Sequence, residues 1–173
     1  MSPAASSGPT GQMTDDQELA AIARAIVDEN DCMTLGTADA DGLPWASPVW
    51  YAPAGYAEFI WLSSPEALHS RNLAVRPELS IVIFDSRVPI GAGQAVYMRA
   101  RAEAVPDADL DRDRDLEVFS RRSLLRGGRE WTADVVRAAG LRLYRASVLE
   151  HWVLDPAAKP DRRTEVNLKE EAR

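Results

Sequence analysis

The chain is poor in the side chains that most often carry metal or nucleophile chemistry. It holds one cysteine, Cys32, and two histidines, His69 and His151. A lone cysteine excludes an internal disulfide and gives no sign of an oxidising compartment. Cys32 opens the apolar run Cys32-Met33-Thr34-Leu35, which predicts a buried small hydrophobe there. The sparse His and Cys fit no zinc spacing, so no metal site is expected. No stretch approaches the ~20 apolar residues of a membrane span. The N-terminus lacks the basic-then-apolar pattern of a secretion signal. The chain therefore reads as a soluble cytoplasmic protein that meets no membrane. Positive charge is also short. Twenty Lys and Arg against 27 Asp and Glu leave a net charge of −7. That balance argues against nucleic acid as a partner, which calls for a basic face. It still permits a local basic pocket for a small anion.

What is present fits a globular fold. A length of 173 residues with 46% apolar side chains can bury a sizeable core. Residues 1–13 are mostly Ser, Pro, Ala, Gly and Thr and read as a disordered tail. Residues 14–173 read as a single domain. Thr14 looks like a helix N-cap, followed by Asp15, Asp16 and Glu18 at the positive end of the dipole. Leu19, Ile22, Ala23, Ile26 and Val27 then recur at helical spacing up to Asn30. From Cys32 the period shortens. Strands are predicted over residues 33–38, 44–51, 57–62, 79–84, 94–105, 141–154 and 164–168. Asp39 to Gly42 and Ala52 to Gly55 are read as turns. Helices are predicted over residues 65–73, capped by Ser63 or Ser64, over 107–123 and over 131–139. In residues 141–154 the phase slips after Leu143, which predicts that Tyr144, Ala146, Val148 and Trp152 share one face. Hairpin-linked strands in one small domain tend to close on themselves. The expectation is mainly β: an antiparallel barrel with an N-terminal helix and peripheral helices.

Few residues stand out chemically. Ser63-Ser64-Pro65 before a helix gathers hydroxyls and free N–H groups of the kind that bind phosphate. His69, Ser70, Arg71 and Asn72 follow within two turns, and Arg71 could grip a phosphate with two bonds. Gln94 follows the glycine-bearing stretch Pro89 to Gly93 and could pair with the edge of a heterocycle. Trp152 and Arg162 together could cover one edge of a flat anion. The Arg-rich run at 107–123 alternates acid and base and reads as a solvated face. No nucleophile paired with a base is visible, because Ser47 and Ser120 have no histidine in their sequence context. No catalytic residue is assigned.

The order of these cues carries more than any one of them. Asp41-Gly42-Leu43-Pro44, Ser63-Ser64, His69-Ser70-Arg71-Asn72-Leu73, Pro77-Glu78-Leu79-Ser80, Gln94, Ala102-Glu103, Glu150-His151-Trp152 and Asp161-Arg162 follow one another over about residues 31–168. That order resembles the pyridoxamine 5'-phosphate oxidase-like family. The resemblance implies an antiparallel split β-barrel that binds flavin mononucleotide (FMN) between the two subunits of a homodimer. By it, Ser47, Pro48, Val49 and Trp50 line the flavin ring and ribityl chain. Leu62, Ser63 and Ser64 meet the phosphate side with His69, Ser70, Arg71 and Asn72. Gln94 meets the ring edge, and Trp152 and Arg162 arrive from the partner subunit. The chain also departs from the oxidases. Ser47 and Ala52 stand near positions where those enzymes carry an arginine and a lysine, and His69 stands where the family has a phosphate-binding lysine. Arg71 is then left to anchor the phosphate. The resemblance therefore implies an FMN-dependent oxidoreductase acting on some other small flat substrate. The alternatives are a reductase using the deazaflavin F420 and a non-catalytic flavin- or haem-binding protein, with His69 or His151 as a haem ligand.

Overall fold

The computed structural model describes residues 15–168. The predicted tail over residues 1–13 lies outside the described residues. Four helices and eight strands follow in chain order: α1 (Asp15–Glu29), β1 (Cys32–Ala38), β2 (Pro44–Trp50), β3 (Ala52–Ala54), β4 (Glu58–Ser63), α2 (Leu68–Val75), β5 (Glu78–Phe84), β6 (Ala95–Ala104), α3 (Arg114–Leu125), α4 (Ala133–Ala138), β7 (Arg142–Leu154) and β8 (Arg163–Val166). All pairings are antiparallel, in the order β2-β1-β5-β6-β7-β4-β3, with β8 added beside β7. This is the expected antiparallel split barrel with peripheral helices. Its two ends, β2 and the β4-β3 pair, face each other without a shared ladder. The seam between them matters below.

Side-chain parity builds two apolar cores. Inside the curl lie Met33 and Leu35 of β1, Phe59 and Trp61 of β4, Ile81 and Ile83 of β5, and Val96 and Met98 of β6. The α1 stripe of Ala20, Ala23 and Val27 joins them. Alternate residues on the far side of β4 and β7, Ile60 and Leu143, pack against Leu116 and Phe119 of α3 and Val136 of α4. Strand β4 is therefore buried on both faces, and Phe59, Ile60 and Trp61 have no exposed surface. Each contributes roughly 1.5–3 kcal/mol of burial.

Several expectations change in the structure. Ala52–Ala54 forms a short strand against Glu58–Ile60 instead of a turn. Helix α2 starts at Leu68, later than predicted, and its N-cap Ala67 has no side-chain bond. Ser64 instead closes the turn before it, accepting at Oγ from the Glu66 amide (3.2 Å). The predicted helix over 107–123 is interrupted. A single 3₁₀ turn (Leu110–Arg112) precedes α3, which Asp113 caps by accepting from the Asp115 amide (2.8 Å). Helix α4 likewise starts at Ala133, capped by Thr132. Cys32 is exposed. As the first residue of β1 it takes the outward parity, while Met33 and Leu35 take the inward one.

The expected slip after Leu143 is absent: the register runs unbroken there, and adjacent residues simply alternate in face. Leu143 serves the outer core and Tyr144 the inner one. The break in alternation comes later, at a point with no sign of it in the sequence. The β6–β7 register shifts so that Arg99 faces Glu150 while Ala100 faces Val148, leaving Leu149 extra. Such a bulge reverses parity. Val153 therefore turns inward, and Trp152 does not share the face of Tyr144, Ala146 and Val148.

Candidate functional site

A histidine bridges the seam of the barrel. His69, in the first turn of α2, is buried between the two sheet ends. Its Nδ1 lies 3.1 Å from Ser47 Oγ on β2, and its Nε2 lies 2.9 Å from Ser63 Oγ at the end of β4. Ser47 Oγ also accepts from the Trp45 indole N–H (2.9 Å). The fold thus supplies the histidine partner for Ser47 that is invisible in sequence, because 22 residues separate the two. Among the described residues no carboxylate is bonded to this ring. Burial alone pushes its pKa below the ordinary histidine value of 6.5, so it is neutral at pH 7.

A cavity of about 500 Å³ opens onto this cluster. That size suits a cofactor or small ligand, for which pockets of roughly 300–1,000 Å³ are usual. Its sheet wall is Pro48, Val49, Trp50, Tyr51, Leu62, Ser63 and His69. Its helical wall is different. Phe119, Arg122, Arg126, Arg129, Trp131 and Leu141 line it from α3, the turn after it and the start of β7. Arg122 lies over the Tyr51 ring (5.1 Å) and donates to the carbonyls of Val27, Asp28 and Asn30 (3.2, 3.3 and 2.7 Å). Arg126 pairs with Asp31 (3.0 Å). Arg129 lies over Trp131 (5.1 Å) and forms no ion pair among the described residues. Three guanidiniums against the carboxylate of Asp31 make the cavity basic in a protein that is acidic overall. Sequence reading missed these arginines. The alternation of acids and bases described a solvated face, and only the docking of α3 beside the seam turns its last turn toward β2.

The predicted residues are spread over several places. Pro48, Val49, Trp50, Leu62, Ser63 and His69 line the cavity, and Ser47 is bonded to His69. Asn72 instead reaches under the barrel, donating to Thr37 Oγ1 (3.1 Å). Ser70 and Arg71 face a separate pocket with Glu103, Arg142 and Tyr144. About half a turn of α2 therefore divides the histidine from the arginine expected to assist it, and Arg71 does not reach the cavity within its own chain. Ser64 serves its turn. Gln94 ends the loop before β6, half-buried and outside the cavity. Trp152 pairs across the sheet with Tyr97 and lies under Arg99 (5.3 Å). Arg162 binds Asp155 (2.9 Å) and, with the Ala157 amide, holds that carboxyl below the usual carboxylate range. Neither residue touches the cavity of its own chain. His151 is buried, with Nε2 2.8 Å from the Tyr56 carbonyl oxygen. Among the described residues no helix is long and apolar enough to cross a membrane.

Comparison with known proteins agrees with this geometry at the level of the fold. A search of curated protein sequences finds no match. Among solved structures the chain resembles an FAD-binding protein from Mesorhizobium loti, with 20% identity, a TM-score of 0.57, and 78% of this chain and 92% of that one covered. It also resembles HutZ, a haem storage protein from Vibrio cholerae, with 21% identity, a TM-score of 0.55, and 73% and 87% of the two chains covered. An F420 reductase aligns with 15% identity, a TM-score of 0.56, and coverage of 75% and 94%. The sequence profile described as Pyridoxamine 5'-phosphate oxidase matches residues 19–131, well over half of the chain. The chain therefore belongs to the pyridoxamine 5'-phosphate oxidase family.

Proposed function

We propose that the protein is a flavin-dependent oxidoreductase that binds FMN at the seam and works as a homodimer. The observation that carries this reading is the cavity itself. It joins aromatic and aliphatic walls, suited to a flat ring, to hydroxyls and cations suited to a phosphate. The residues fit the group. Pro48 to Tyr51 and Leu62 offer strand backbone and apolar surface to the ring and chain. Ser63 and His69 offer polar contacts at one end, and Arg122, Arg126 and Arg129 line the other wall. Bound flavin supplies the hydride or electron chemistry, and the protein contributes binding, orientation and field. Trp131 and Phe119, in edge contact (centroids 6.2 Å apart), exclude water from the helical side.

The dimer is supported by apolar surface beside the seam. Trp45 and Trp50 on β2 are 48% and 63% exposed, with Leu43 and Leu149 also on the surface. Soluble monomers rarely leave such a patch uncovered. Trp152 and Arg162, remote from their own cavity, then complete the site of the second copy.

A second reading uses F420 in place of FMN. The arginines of the helical wall favour it, because a longer acidic tail calls for a basic channel. Haem is favoured less, since both nitrogens of His69 already meet hydroxyls and His151 is buried against a carbonyl. Titrating the purified dimer with FMN and with F420, followed by fluorescence, separates the first two. Tighter binding of F420 overturns FMN, and binding of neither by a dimeric, folded protein overturns the flavin reading.

A further inference from the structure

The cluster at the seam suggests a device that its separate members do not. A neutral imidazole has one N–H and one bare nitrogen. With Ser47 Oγ at one nitrogen and Ser63 Oγ at the other, one hydroxyl must accept from the ring and the other must donate to it. One serine proton is therefore spent on the ring. An imidazolium donates from both nitrogens. Both serines then accept from it, and both hydroxyl protons are released to point elsewhere. Adding a proton to His69 thus changes two things together: the cluster gains a positive charge, and it gains a free O–H donor. Ser47 keeps its second acceptor role toward Trp45 Nε1 in either state.

We propose that the Ser47–His69–Ser63 cluster binds the phosphate of a flavin nucleotide with uptake of one proton, so that ligand capture at this site is coupled to pH. The proposal rests on the flavin reading of the cavity, although its chemistry requires only a phosphate. A proton moves from solvent to His69, the Ser63 hydroxyl, which lines the cavity, turns to a phosphate oxygen, and the imidazolium remains buried beside an anion that balances it. Release of the ligand returns the proton. Burial of the free ring supports this, because it keeps the resting cluster neutral.

The surroundings leave His69 as the group that responds. The charged side chains sharing its cavity are Asp31, Arg122, Arg126 and Arg129, with the Tyr51 phenol, which burial pushes far above its usual range. Arginines stay charged throughout. On the other side of α2, Arg71, Arg142 and Glu103 share the separate pocket with Ser70. From β1, α2 meets the uncharged Thr37 hydroxyl through Asn72. His151 is buried elsewhere, against Tyr56. Among the described residues His69 is the one histidine that lines the cavity, and histidine is the side chain whose ordinary charge change falls between about pH 5 and pH 8.

The test compares FMN with riboflavin, which lacks the phosphate, across that range, in the full-length protein and in His69→Lys. A bound anion raises the folded pKa of His69, so affinity must increase as pH falls, by at most about tenfold per pH unit for one proton. The ligand phosphate has its own ionisation near pH ~6. The lysine variant, charged throughout, reports that contribution alone. The proposal predicts that the ratio of wild-type to variant FMN affinity climbs as pH falls, that riboflavin shows no such climb, and that NMR of the His69 ring shows its pKa rising on addition of FMN. Should His69→Lys fold poorly, His69→Gln serves, with the low-pH gain lost. A ratio independent of pH, or a ring pKa unmoved by bound FMN, overturns the proposal. If no flavin binds at any pH, the flavin reading fails first. Inorganic phosphate then decides the rest: a raised His69 pKa keeps the proton-coupled anion site, and an unmoved one removes it.

Discussion

The two walls of the cavity are built on opposite plans. The sheet wall is neutral. Its polar atoms, those of Ser47, Ser63 and His69, are bonded to one another, and its position is set by β2 and β4, the ends of a single sheet. The helical wall is cationic and aromatic, carried by α3 and the turn after it, and two of its three arginines are committed to α1 or to Asp31. The oxidases' expected cations near positions 47 and 52 are missing from the first wall, while cations appear in the second. Among the described residues, the fixed positive charge of the cavity lies on the helical side. The sheet side offers hydroxyls and a titratable ring.

The largest expected effect breaks the helical wall. Arg122→Ala removes a guanidinium shared by three carbonyls at the C-terminal end of α1, and charge-assisted bonds of this kind contribute ~1.5–3 kcal/mol. Chemical denaturation should show a loss of about 2 kcal/mol, and a change within about 0.5 kcal/mol would mean that α3 holds its place without this tie. Next comes Arg129→Ala. This cation has no ion pair among the described residues, so stability should hold while FMN affinity falls about tenfold. Unchanged affinity by fluorescence titration would mean that the helical wall lends no charge to the bound phosphate. Trp152→Ala should weaken binding by several-fold, and only where the protein is dimeric. An equal loss in a dilute monomer would place the indole in the site of its own chain. The smallest effect belongs to Arg71→Ala. Its pocket is separate, so affinity should stay within about twofold, a few tenths of a kcal/mol. A tenfold loss would restore it as the phosphate anchor.

Acid should separate the walls once more. His69 has a depressed folded pKa, so its neutral form stabilises the fold above the ordinary value of 6.5, and that stability is lost as pH falls through the folded pKa. Ligand-free protein should lose stability on acidification below that value, and His69→Gln should lose less. Equal losses in both proteins would assign the acid sensitivity to other groups.

Much of the barrel was legible because its strands keep period two and its hairpin turns carry plain signals. Asp39 to Gly42 is one such turn. Gly42 takes a positive φ of 88°, and its amide donates to the Asp39 carbonyl (3.1 Å). What escaped the sequence were parity changes and long-range meetings. Leu149 looks like an ordinary strand residue, yet its bulge turns Trp152 over. Cys32 looks like the start of an apolar run, but a strand's first residue takes its side from the next one. Of the candidate site, the order of residues marked β2, β4 and α2. It could not show that half a turn of α2 sends His69 and Arg71 to different pockets, nor that the end of an acidic and basic helix would face the seam.

The grip of Arg122 on the end of α1 has a mechanical consequence. It fastens α3 near its C-terminal end, and the turn beyond is braced in its own right: Arg126 pairs with Asp31 (3.0 Å), the Ser123 hydroxyl donates to the Arg129 carbonyl (2.8 Å), and the Trp131 amide donates to Ser120 Oγ (2.8 Å). A wall pinned at both ends carries its guanidiniums on a fixed frame. A ligand entering between Arg129 and the strands meets a rim that is already in place.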